Sequence, residues 1–123
     1  MSRVANIMVG LVALLHVGFM VLEMFFWDHA VGERVFELPR EVLHSSAALA
    51  ANQGLYNGFL AAGLAWALVT GKHEVKLSVL GCVVVAGVFG AFTAKFSILF
   101  MQAMPGLLAL VLVRMSTPRT QAR

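Results

Sequence analysis

The chain has 123 residues, 60% of them hydrophobic and 12% charged, with a net charge of +3. A soluble domain carries about 25% charged residues, so there are too few here to coat a water-soluble globule, and the length allows one domain. Nine Lys and Arg against six Asp and Glu, scattered at segment ends, argue against a nucleic-acid-binding surface. The single Cys82 lies in an apolar run and argues against a disulfide scaffold.

The apolar residues fall in runs long enough to cross a hydrocarbon core of roughly 30 Å. They predict an all-α, polytopic membrane protein of four transmembrane helices in an antiparallel bundle, over about 4–27, 39–70, 76–93 and 96–114. An outer loop spans 28–45 and a polar tail 115–123. Met1, Ser2 and Arg3 resemble a signal-peptide n-region. The run that follows is too long, however, and closes on Phe25, Phe26 and Trp27 instead of small residues, so an uncleaved anchor is expected, with Trp27 at the interface.

The second helix is expected to start at Pro39 in the headgroup region, to enter lipid near Ser46, and to end at Gly71 and Lys72. Lys72 to Lys76 then form a short connection. Beyond it Lys95 is the one charge before Arg114, and a turn at Thr93, Ala94 and Lys95 splits the stretch into two spans. Arg3, Lys72, Lys76, Arg114, Arg119 and Arg123 fall on one side, against Arg34, Arg40 and Lys95 on the other. The positive-inside rule therefore puts both termini in the cytoplasm and the chain in the inner membrane.

An ionisable group inside a span costs at least a few kcal/mol at the bilayer centre, which singles out Glu23 and His16, and with them the polar run Asn52, Gln53, Tyr56 and Asn57. If Trp27 and Ser46 mark the outer interface, His16 and Asn57 each lie eleven residues in, about 16 Å deep at the helical rise. Glu23 and His16 are seven apart and share a helix face. Gln102 reaches a similar level from the fourth helix.

Small residues at Ala50, Gly54, Gly58 and Ala62, and at Cys82, Ala86, Gly90 and Ala94, form ridges expected to pack the second helix on the third. Pro105 is expected to kink the fourth helix, with the Gln102 amide serving the freed carbonyl of Met101. Single amides in membrane helices commonly act as interhelical glue, worth ~0.6 to 2 kcal/mol each. Glu23 sits near enough to the rim to snorkel outward. One Glu, one His and several amides at one depth are harder to explain as glue than any one of them alone.

Three stretches also resemble a known family: LVALLHVGFMVLEMFFW in the first helix, AANQGLYNGFLAAGL from Ala50 to Leu64, and VAGVFGAFTAKFSILFMQAMPGLLAL further on. They are similar to the DUF1304 family of small bacterial and fungal membrane proteins, over nearly the whole chain. The resemblance implies a four-helix membrane protein with signature positions at His16, Glu23, Trp27, Asn52, Gln53, Tyr56, Asn57, Gln102 and Pro105, and it implies no activity.

The leading expectation is a polar pocket in the outer half of the membrane that takes a small amphipathic or lipid-soluble molecule. Glu23 and His16 are its candidate acid and base, with Asn52, Gln53, Tyr56, Asn57, Gln102 and Trp27 as ligand contacts. A proton-coupled transporter working as a homodimer is one alternative, because one Glu in the first of four helices is also the outline of small multidrug exporters. An accessory subunit docking by its small-residue ridges is another. No CxxC, HExxH, GxSxG or phosphate-cradling glycine loop is present, so neither a cofactor nor a metal is implied.

Overall fold

A computed structural model describes residues 2–116. Met1 and residues 117–123, which hold most of the expected polar tail together with Arg119 and Arg123, lie outside the described residues. Among the described residues all regular structure is helical: α1 (Ser2–Phe25), α2 (Ala30–Phe36), α3 (Arg40–Ser45), α4 (Ala47–Thr70), α5 (His73–Thr93), a π-helical segment (Leu99–Ala103) and α6 (Met104–Met115).

Two of these helices, α1 and α5, are long and apolar enough to cross a membrane. The other two expected spans differ from expectation for local reasons. The second does not run unbroken from Pro39. Pro39, at φ −59° and ψ 144°, caps the short helix α3, the chain turns at Ser46, and only then does α4 begin. α4 has 24 residues, but Asn52, Gln53, Tyr56 and Asn57 lower its hydropathy. The fourth is a shorter apolar stretch, Leu99–Met115, that opens as a π-helix.

That π segment is the chain's response to Pro105. Proline has no N–H to return to the carbonyl four residues earlier, and the turn ahead of it widens so that the Met104 N–H bonds the Leu99 carbonyl, a recognised way of absorbing such a defect. The Gln102 amide does not serve Met101. Its Nε2 donates to the Val83 carbonyl of α5 at 3.2 Å.

The described residues divide into two compact units, residues 2–12 with 63–116, and residues 13–62. In the first unit α5 packs against the π segment and α6. They run antiparallel, because Gly87 meets Ala103 while Val83 meets Gly106. A Cβ on Gly87 would lie 2.7 Å from the Ala103 nitrogen and 2.9 Å from its Cα, so only glycine admits this backbone approach. α4 and α5 meet where Gly63 faces Val79. Their connection is a glycine-ended helix stop: Gly71 takes φ +66° and the Lys72 N–H returns to the Ala67 carbonyl at 3.2 Å, a pattern that satisfies carbonyls otherwise orphaned at a helix end. The turn after Thr93 also falls where the charge spacing placed it, with the Ala94 and Lys95 N–H groups on the Gly90 carbonyl.

Lys76 closes the expected connection and opens the expected third helix; α5 starts three residues earlier, at His73, which sets Lys76 in its first turn, only 8% exposed. Its Nζ donates to Asn6 Oδ1 of α1 at 2.9 Å.

In the second unit α1 and α4 run antiparallel. Gly54 of α4 sits against Met20, Glu23 and Met24, and Gly58 against Met20. The small-residue ridge of the second helix therefore packs on the first helix, not on the third. The α5 ridge is likewise not the contact expected of it. Cys82 and Ala86 are exposed and line an open apolar hollow with Ser78, Gly81, Val85 and Phe89. The expected loop 28–45 is built into α2 and α3, which carry an exposed Glu33–Arg40 ion pair at 3.3 Å.

Candidate functional site

Glu23 lies in the last turn of α1 and Asn57 in the middle of α4. Gly54, one turn before Asn57, has no Cβ to hold the helices apart, and a Cβ there would come within 3.2 Å of the Glu23 Cβ. This close approach brings the two polar side chains together: Asn57 Nδ2 donates to Glu23 Oε2 at 2.9 Å. Both are half-buried. Glu23 makes no other side-chain hydrogen bond among the described residues, so Oε1 retains its full accepting capacity. Met20 and Met24 flank the pair where they pack on Gly58 and Gly54, and their unbranched thioethers adapt to irregular shapes.

The depth markers of the sequence reading are joined directly. Trp27, one residue past the bend that ends α1, donates its indole N–H to Ser46 Oγ at 3.0 Å, and Ser46 Oγ in turn donates to the Val42 carbonyl at 2.6 Å. Trp27 also packs at a tilt against Phe36, with centroids 4.3 Å apart, and buried Gly32 lets α2 sit on the Trp27 carbonyl. Trp27→Phe keeps the ring packing and removes one donor. It is expected to cost about 1 kcal/mol, read as a lowered unfolding midpoint in detergent micelles, with Ser46→Ala adding little on top.

Counting equal helical rises from these two markers puts His16 level with Asn57. The hydrogen bond pairs Asn57 with Glu23 instead, because residues 26–29 and Ser46 are turns that do not advance with the helical rise. His16 is fully buried and meets Phe19 edge-on at 5.4 Å. Asn52, Gln53 and Tyr56 are exposed, Tyr56 lying edge-on to Phe59 at 5.7 Å. Gln102 belongs to the other unit, on the Val83 carbonyl. Of the eight candidate residues, Glu23 and Asn57 are the pair joined by a hydrogen bond, while Trp27 ties the end of α1 to the start of α4. Lys76 with Asn6 escaped the sequence reading. The available signal was Asn6 itself, a polar residue in the first apolar run.

These features define an all-α chain with two helices able to cross a membrane and a carboxyl held by an amide between two of its helices. The chain belongs to the family described as "Protein of unknown function (DUF1304)", which it matches over residues 10–114. It is similar to "Uncharacterized protein YpaA" of Lactococcus lactis subsp. lactis (strain IL1403), at 31% identity over 105 residues that cover 82% of this chain and 88% of the relative. No solved structure matches it.

Proposed function

We propose that the protein is a four-span membrane protein with cytoplasmic termini whose Glu23–Asn57 pair binds a small lipid-soluble molecule carrying a hydrogen-bonding head. Two facts support the membrane setting. In both α1 and α5 only 28% of the most apolar window is buried, the reverse of a soluble protein's core helix. The residues left outside are large and apolar: Ile7, Leu14 and Phe25 on α1, Leu49 and Val69 on α4, Val85 and Phe92 on α5. Exposed apolar surface on this scale calls for an apolar solvent, and α4 and the 99–115 stretch complete the spans as neighbours of the two more apolar helices.

The observation that carries the binding site is the 2.9 Å bond from Asn57 to Glu23. A carboxyl inside a span is costly unless it is used or satisfied. Here one oxygen is satisfied, while Glu23 Oε1 and Asn57 Oδ1 are free to meet a ligand's hydroxyl or amide, with Met20 and Met24 supplying an apolar wall. The ligand class is an apolar body with a compact polar head. Binding is preferred to acid–base chemistry, because His16, the base such chemistry would use, is fully buried against Phe19.

The test is mass spectrometry of small molecules that co-purify from membranes. Wild type is expected to retain a lipid-soluble species that Glu23→Ala and Asn57→Ala both lose, while Gln102→Ala in the other unit keeps it. Equal retention by all four proteins, or none by wild type, removes this reading.

A further inference from the structure

The polar run of α4 is only partly used by Glu23. Asn52 and Tyr56 lie round the helix from Asn57, with Gln53 between the two faces, and all three are exposed. Leu49, Asn52, Tyr56 and Phe59 are spaced three, four and three apart, the a/d repeat of a helix that packs along a second helix. All four are exposed, Leu49 by 73%, Tyr56 by 55% and Phe59 by 56%. Gln53 flanks this seam next to Asn52.

Given the membrane setting proposed above, on which this step rests, the seam has an energetic consequence. Asn52 is five residues into α4 from Ala47, about 7.5 Å along the helix. Lipid chains offer a primary amide neither donor nor acceptor, so each bare amide at that level is penalised. A carboxamide carries both a donor and an acceptor, which makes it its own complement. Two copies inserted in the same orientation, related by a two-fold axis along the membrane normal, bring Asn52 opposite Asn52 and Tyr56 opposite Tyr56. This is the symmetry of the commonest oligomers, and a single Asn in an a/d seam is known to set register and helix number.

We infer that α4 is a self-association helix, and that the occupant of the Leu49–Asn52–Tyr56–Phe59 face is the same face of a second copy of this chain. The amides of Asn52, aided by Gln53, are the specific element, and Leu49, Tyr56 and Phe59 supply the packing. The face is distinct from the Glu23–Asn57 pair, so the dimer and the ligand site fail independently.

The experiment uses the full chain in phosphatidylcholine bilayers, with self-association followed by energy transfer between labelled copies over a range of protein-to-lipid ratios. Wild type is expected to dimerise, and Asn52→Leu to weaken dimerisation about tenfold while leaving the unfolding midpoint unchanged or raised, since leucine suits a lipid-facing position. In a Cys82→Ser background, Phe59→Cys is expected to give a disulfide-linked dimer on mild oxidation, and wild-type Cys82 on α5 none. A wild type that stays monomeric at every ratio, a dimer insensitive to Asn52→Leu, or cross-linking through Cys82 in place of Phe59→Cys overturns the proposal. Release of the protein from cell membranes by alkaline carbonate would overturn the membrane setting and the seam with it, an outcome separable from loss of the dimer alone. Loss of the co-purifying ligand in Glu23→Ala with dimerisation intact would leave the seam standing.

Discussion

Asn6→Leu is expected to destabilise the protein by roughly 1.5–3 kcal/mol, the range for loss of a hydrogen bond to a charged group. Lys76 is 8% exposed and its ammonium donates to Asn6 Oδ1 at 2.9 Å. Among the described residues no carboxylate bonds it, so the Asn6 carbonyl is the acceptor that makes burial of the ammonium tolerable. Leucine of similar size withdraws that acceptor and leaves the charge in place. The double variant Asn6→Leu with Lys76→Met removes both polar partners and should regain most of the loss, because an apolar pair of similar volume often matches a buried polar one. Unfolding in mixed micelles titrated with denaturing detergent reads both numbers. If Asn6→Leu matches wild type, the bond carries no weight in stability.

Gly87→Ala is the second large effect. Its new methyl would sit 2.7–2.9 Å from the nitrogen, Cα and Cβ of Ala103. Two of those atoms are backbone, so no rotamer change relieves the clash, and α5 must separate from the π segment. Overpacking of this kind typically costs 1–3 kcal/mol. The shift would also strain the Gln102 bond to the Val83 carbonyl, one turn before Gly87, worth about 1 kcal/mol more. The matched control is Gly81→Ala on the same helix, which meets nothing within 4 Å and should be neutral or stabilising by up to about 1 kcal/mol, the helix-propensity gain of alanine over glycine. Equal midpoints for Gly87→Ala and Gly81→Ala would show that the α5 contact with Ala103 is not tight.

Much of the helical layout is local chemistry and is legible without coordinates. The αL position of Gly71, the stop at Thr93 and the end of α1 before Trp27 follow from residue type and apolar run length. Other boundaries moved because a nearby residue acts through its own backbone. Pro39 and Ser46 split the second helix at its start, and Pro105 turned the head of the fourth into a π segment. The site was legible in its residue types more than in its pairing. Glu23 and Asn57 stand out as polar residues in apolar helices, but equal-depth counting sets Asn57 level with His16, since counting treats turns as helix.

The small-residue ridges show the same limit from the packing side. The Gly54–Gly58 repeat announces a close helix contact, and one exists, yet its partner is α1. On α5 the repeat through Cys82 and Ala86 stays exposed, while Gly87, one residue further round the helix, makes the contact. Periodicity identifies a face able to pack closely but not the helix that will occupy it, because any neighbour of suitable shape satisfies it equally.

The low share of charged residues, the apolar run lengths and the helix-stopping residues are properties of neighbours along the chain, so an all-α protein with apolar helices, and the family it belongs to, follow from local composition and order. Which polar groups meet depends on contacts across tens of residues. Glu23 with Asn57, Lys76 with Asn6 and Gln102 with Val83 were decided by where Gly54 and Gly87 let backbones approach and by the turns that set helix register. A hydrogen bond needs its partners within about 3 Å, and only the tertiary arrangement specifies position that finely.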